Sequence, residues 1–358
     1  MHKLIAAFAV FNAFAGAQLT APSPGAPYRE PQIAASGKLT AMAFGSGSNI
    51  FVSVSTDYGA TFAKPVRVAE APVLPLTRHR GPRIVISGNT LVVTAVVGET
   101  EAKGEHSHGL PSDGNLVSWR SGDLGQTWSK PIRVNDVPAA PREGLHTLAA
   151  DNRGNLFAAW LDQRGQGVQL YGAWSTDSGA TWSKNVKVYE SPDGTICQCC
   201  HPTAVFTENG NVEVMWRNVL QGSRDFYVMT SDTNHHFSAP QKVGDGTWKI
   251  NACPMDGGGM VRDHGRTTTV WRRENGIFLD EPGQPETRIG DGKDVTLAVA
   301  GGTPYAAWIK DTELVLWRNG KQEVIASPAA FPNLAALPHG GVLLAWEADN
   351  GVSVRRIP

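Results

Sequence analysis

The chain has 358 residues, with 32 Lys+Arg against 33 Asp+Glu and a formal net charge of −1. A balance this even gives no reason to expect nucleic acid or a strongly charged partner. The 39 Gly and 23 Pro, with charged residues at only 18%, describe a turn-rich globular protein long enough to bury a large core.

The chain opens with Met1-His2-Lys3, an apolar run from Leu4 to Phe14 and then Ala15-Gly16-Ala17. These are the basic, apolar and small-residue parts of a secretory signal peptide. The expected organisation is a signal peptide over 1–17 and one domain over 18–358. The apolar run is too short to cross a bilayer, and no later segment approaches the roughly 20 apolar residues a membrane helix needs. No Cys follows the cleavage site to carry a lipid. An exported monomer, periplasmic or extracellular, is expected.

Beyond this leader one phrase recurs: Ser55-Thr56-Asp57-Tyr58-Gly59-Ala60-Thr61-Phe62, then 121–128, ending on Trp128, then 175–182, ending on Trp182. Each copy lies between an alternating stretch, such as Asn49 to Val54, and a short strand, such as Pro65 to Val68. Two strands joined by an Asp/Gly turn make a hairpin. Upstream of each hairpin lies another strand pair, whose second member in most units ends on an aromatic: Phe44, Trp160, Trp216, Trp271, Trp308 or Trp346. The pattern persists where the phrase decays to Ser231-Asp232-Thr233-Asn234-His235-His236-Phe237.

First strands begin near Pro31, Pro82, Gly144, Pro202, Pro254, Asp294 and Pro332. Seven units of four strands predict an all-β fold, a seven-bladed β-propeller, with six blades as the alternative. The last unit stops after its third strand, Val352 to Ile357. Gln18 to Thr20 is the predicted fourth strand, closing the ring without an exposed edge.

The phrase Ser-x-Asp-x-Gly-x-Thr-Trp resembles the Asp box, or BNR repeat, of the sialidase superfamily. That resemblance implies a propeller whose Asp boxes are structural and lie opposite the active site. It also implies an arginine triad for a substrate carboxylate, a Tyr nucleophile activated by Glu, and an Asp acid/base. The catalytic candidates at the mouth are Arg80, Arg142, Arg164, Arg217, Glu143, Asp162 and Asp225. None of the six Tyr has a context matching the family's catalytic Tyr, and the family's opening Arg-Ile-Pro motif is missing.

All four Cys fall between Cys197 and Cys253, on the predicted mouth face. Cys197-Gln198-Cys199-Cys200-His201-Pro202 aligns with Cys253-Pro254-Met255, which places His201 and Cys253 at equivalent positions of adjacent blades. Thiolate, imidazole and thioether together suit a soft metal, Cu(I) first and Zn(II) next. The ligand set is Cys197, Cys199, Cys200, His201 and Cys253, with Met255, His106 and His108 as auxiliaries. The competing reading of four Cys in an exported chain is two disulfides, Cys253 pairing with Cys199 or Cys200. The Cys-x-Cys-Cys-His-Pro run with its later Asn-x-Cys-Pro also resembles a subgroup of exported bacterial sialidase-like propellers. Three functions follow: a propeller holding Cu or Zn or displaying a redox thiol site, a glycoside hydrolase of exo-sialidase type, or a non-catalytic propeller binding a glycan or protein. Each places a metal, small-molecule or glycan ligand at the mouth.

Overall fold

A computed structural model describes residues 16–358 apart from 105, 106 and 108. Most of the expected signal peptide, and both insert histidines, His106 and His108, lie outside the described residues. Seven four-stranded antiparallel sheets are arranged as blades, and no α-helix occurs among the described residues. No helix there is long and apolar enough to cross a membrane.

The inner strands of blades 1 to 7 are Arg29–Ser36, Arg83–Ser87, His146–Ala150, Thr203–Phe206, Gly259–Asp263, Lys293–Ala300 and Ala330–Ala336. Six begin within two residues of the predicted starts. The fifth begins at Gly259, five residues after Pro254, so the sequence alignment of His201 with Cys253 is corrected. Gly257, two residues before that strand, stands where His201 stands in blade 4. Blade 7 takes its outer strand from Ala17–Thr20, paired with Gly351–Ile357 through Ala17↔Val354 and Thr20↔Gly351. The N-terminus thus covers the edge that the last three strands leave open.

Every second strand is an apolar run sealed between neighbouring blades. Leu156–Asp162 is buried along its whole length, and Trp160, Trp216 and Trp308 are at most 1% exposed. In the six blades other than blade 2 an aromatic near the end of this strand packs between blades, and its loss would cost about 3–5 kcal/mol.

The Asp phrases occupy the turns between third and outer strands. In the first, Asp57 Oδ1 accepts hydrogen bonds from Ser55 Oγ at 2.6 Å and Thr61 N at 2.9 Å, and Oδ2 accepts from Thr61 Oγ1 at 2.6 Å. The same three contacts recur at Asp123 and Asp177. Each turn also presses on the preceding blade. A Cβ on Gly59 would meet Leu343 at 2.5 Å, and Trp182 Nε1 donates to Ser118 Oγ at 2.9 Å. The boxes are therefore both turn locks and blade-to-blade fasteners.

Hydrogen bonds from Ser55 and Thr61 hold the Asp57 carboxyl down at about 2, and those from Thr127 and Ser121 do the same for Asp123. A carboxyl depressed in the folded state stabilises above its unfolded value near 4, and that contribution is lost as pH falls towards 2. The double variant Asp57→Asn, Asp123→Asn should melt at a lower temperature at pH 7 and show a flatter decline between pH 4 and 2. Thermal melts across that range check this, and parallel pH profiles for variant and wild type would refute it.

Candidate functional site

The mouth lies where inner strands converge. In blades 1, 6 and 7 the inner strand starts with a bulge, between Arg29 and Gln32, Lys293 and Thr296, and Ala330 and Asn333. Each bulge puts one residue in the left-handed region: Glu30 at φ 55°, Asp294 at 58° and Phe331 at 48°. Non-glycine residues enter this region at a cost and persist where surrounding contacts hold them. Beneath the mouth an axial cavity of about 170 Å³ is lined by inner-strand positions such as Gln32, Arg83, Thr203, Thr296 and Asn333.

Polar groups crowd its upper end. His79 Nε2 lies 2.9 Å from Asp294 Oδ1, and the His79 amide donates to the buried Glu30 Oε1 at 2.9 Å. The His79 ring stands 4.8 Å from that of His201. Two glycines admit these side chains, since a Cβ on Gly81 would lie 2.2 Å from Glu30 and one on Gly257 2.1 Å from the His201 ring. Burial opposes charge on both members of the His79–Asp294 pair, but their hydrogen bond and mutual attraction win. His79 is raised and Asp294 lowered, which favours the ion pair. Burial, and then the neighbouring cationic side chains, push His201 well below its ordinary value and keep it neutral.

The sulfur cluster lies beside this centre. Cys197, Cys199 and Cys200 are buried, with Sγ separations of 3.6 Å (197–199), 3.4 Å (197–200) and 4.0 Å (199–200). The loop entering blade 4 carries them over that blade's own rim, where Cys197 N donates to Arg217 O at 3.1 Å. Arg224 Nη1 reaches Cys197 Sγ at 3.3 Å, and Met255 packs against the cluster. Hydrogen bonds from the other two thiols, with the Arg217 charge, hold Cys197 well below the usual thiol range. Its neighbours are raised: Cys199 chiefly by donating to Cys197, Cys200 chiefly by burial.

All four Cys are free thiols, so the expected disulfides are not formed, and the sulfur separations lie far beyond the roughly 2.05 Å of a bond. Cys253 is exposed and stays outside the triangle. His201 is also apart, since its ring is turned to the axis. Among the described residues the structure therefore joins Cys197, Cys199, Cys200 and Met255, and separates His201 and Cys253 from them.

The catalytic candidates are largely committed to structure. Asp162, fully buried, accepts from Arg164 Nε at 2.9 Å, Arg164 Nη2 at 3.0 Å and Trp160 Nε1 at 2.7 Å. Asp225 Oδ1 holds Trp248 N at 2.8 Å. Arg80 Nε binds Glu143 O at 2.7 Å, Glu143 Oε1 accepts from Gln163 Nε2 at 2.6 Å, and Arg142 Nη1 reaches Ala139 O at 3.4 Å. Arg217, 2% exposed, spends its Nη groups on the carbonyls of Arg224, Arg272 and Asp256. The tyrosines are engaged elsewhere: Tyr28 packs on Phe44, Tyr171 lies under Arg164, and Tyr305 binds the Pro358 carbonyl.

No sequence motif singles out Asp256 or His79, and Asp294 enters the sequence analysis only as a blade start. The shared bulge pattern Arg29-Glu30-Pro31-Gln32, Lys293-Asp294-Val295-Thr296 and Ala330-Phe331-Pro332-Asn333 is the signal that marks which residue of each blade turns to the axis.

No protein-family model matches the chain, and no curated protein matches it. Solved structures do. A polysaccharide lyase, an ulvan lyase, aligns at TM-score 0.56 and 9% identity over 95% of this chain and 96% of that one. An intramolecular trans-sialidase from Ruminococcus gnavus aligns at 0.54 and 11%, over 96% and 97%. An α-L-arabinofuranosidase from Fusarium graminearum aligns at 0.53 and 15%, over 95% and 97%. At such identities the likeness is one of fold, and the fold is a β-propeller.

If Arg164 serves Asp162 and not a substrate, Arg164→Ala leaves a buried carboxylate unpaired and costs about 3–5 kcal/mol. Denaturant unfolding should show that loss. A variant as stable as wild type would return Arg164 to the list of ligand-binding residues.

Proposed function

We propose that this propeller binds a soft metal ion, Cu(I) before Zn(II), at the triangle of Cys197, Cys199 and Cys200 beside its mouth. The observation that carries the reading is the spacing of the three sulfurs, 3.4 to 4.0 Å. Thiolates held about 2.3 Å from one ion stand about 3.8 Å apart around a tetrahedral centre and about 4.0 Å apart around a trigonal one. The triangle thus needs only small adjustments to accept an ion.

Charge and ligand count agree. Three thiolates around Cu(I) carry two negative charges, and Arg224 and Arg217 stand against them. With His201 turned away, the donors left are three thiols and the Met255 thioether, a set that suits Cu(I) better than Zn(II). In the oxidising compartment implied by an export signal, a bound ion would also keep these crowded thiols from oxidation.

Reduced protein should take one equivalent of Cu(I) from a chromophoric chelator. Cys199→Ser should weaken binding by about a hundredfold or more, whereas Cys253→Ser changes it less than about threefold. Cu(I) and Zn(II) both remaining with the chelator, while all four thiols titrate as free, would sink the proposal.

A second reading is favoured by a cleft of about 670 Å³ on the mouth face between blades 5 and 6, lined by Arg272, Arg288, Lys293 and Lys310. Four cationic side chains against the carboxylates of Asp291 and Asp311, the first paired with Arg288, leave the cleft net positive, which fits an acidic saccharide. With no tyrosine available beside it, binding without sialoside turnover is expected. A glycan array should return acidic glycans, weakened about tenfold by Lys293→Ala or Lys310→Ala; hydrolysis of a fluorogenic sialoside would instead restore the exo-sialidase reading.

A further inference from the structure

We infer that His79, Asp256 and Asp294 form a second metal site at the axis, taking a divalent cation of hard or borderline character through nitrogen and oxygen. One donor atom from each residue lies within 4.8 Å of the others. An ion about 2.0–2.2 Å from each donor places such atoms about 3 to 4.3 Å apart, so a small contraction suffices.

Three acidic or imidazole groups close together do not by themselves make a site. The independent observation is Asp256. Its side chain is 1% exposed, yet neither Oδ1 nor Oδ2 has a hydrogen-bond partner among the described residues. Buried carboxylates are ordinarily satisfied several times over, and one left bare is costly. The neighbouring cations do not satisfy it. Arg272 Nη1 stands 3.6 Å from Oδ2, beyond hydrogen-bond length, and Arg217 Nη2 is directed to the Asp256 carbonyl instead. His201 adds a second bare atom to the same centre, its buried Nδ1.

The backbone is shaped to bring these groups together. His79, Met255 and Asp294 all occupy the left-handed region, at φ 66°, 56° and 58°. His79 and Asp294 are two of the three ligands and Met255 precedes the third, and the three come from different blades, as a site assembled from separate elements requires. Two carboxylates facing one imidazole leave a net negative charge, which a divalent ion offsets. The His79 nitrogen now bonded to Asp294 would lose its proton and become the ligand.

This centre contains no sulfur and is distinct from the thiol triangle. Met255 and Asp256 are consecutive, but Met255 packs on the thiols while Asp256 belongs to the axial group. A hard probe therefore separates them, because Mn²⁺ prefers carboxylate and imidazole and has little affinity for thiolate.

The test titrates the full chain with Mn²⁺, followed by electron paramagnetic resonance of the free ion and by thermal melting. One Mn²⁺ per chain should bind saturably and raise the melting temperature. Asp256→Asn and Asp294→Asn should each weaken binding at least about tenfold and abolish the thermal shift, while Cys253→Ser leaves both unchanged. Wild-type protein with neither saturable binding nor a shift would overturn the inference. So would folded Asp256→Asn protein, by circular dichroism, that binds Mn²⁺ as tightly as wild type. Failure of Cu(I) binding at the thiols leaves this result untouched, so the two proposals fall separately.

Discussion

Seven inner strands must reach one axis, and that convergence governs everything else in the structure. Outer strands have room to diverge, but each inner strand lies against the inner strands of both neighbouring blades and faces the axial cavity. Wherever one blade contributes a long side chain there, a neighbour must yield. Gly81 yields to Glu30, and Gly257 yields to His201. A side chain at either glycine would expel a charged or imidazole group from the mouth and close the cavity below. The polar centre therefore exists only because particular blades were left small at the axis.

Much of this was legible in the repeat. Asp57, Asp123 and Asp177 set the phase, and counting from them gives seven blades and the N-terminal strand that completes the last. Phase was lost in blade 5, whose Asp box has no counterpart of the strength found in blades 1 to 3. There Pro254 imitates the prolines at Pro31, Pro82, Pro202 and Pro332, while the strand starts at Gly259. Five extra residues of loop were enough to move Cys253 out to solvent and to bring Gly257 against His201. A one-residue motif can fix where a strand begins only when turn chemistry agrees with it, and three successive glycines carry little of either signal.

Side-chain commitment was not legible at all. Asp162, Arg164 and Arg217 look like mouth residues because they follow the second strands of their blades. Distances show that they are consumed by one another or by carbonyl oxygens. Burial turns such groups into structure, since an ionised side chain with no water must find its partners within the fold. The converse case, Asp256 buried without partners, is equally invisible in the sequence and depends on where Arg217 and Arg272 direct their guanidinium groups.

Arg217 joins these two centres electrostatically. Nearly all of it is buried, stacked over Phe226 and Trp248, with Nε unpartnered. Its charge stabilises the Cys197 thiolate on one side and the Asp256 carboxylate on the other. Arg224, 3.3 Å from Cys197 Sγ, faces the thiols alone, and Arg272, 3.6 Å from Asp256 Oδ2, faces the carboxylate alone, whereas Arg217 acts on both. Its Nη groups are held by the carbonyls of Arg224, Asp256 and Arg272, so it cannot swing towards either centre and stays as a fixed charge between them.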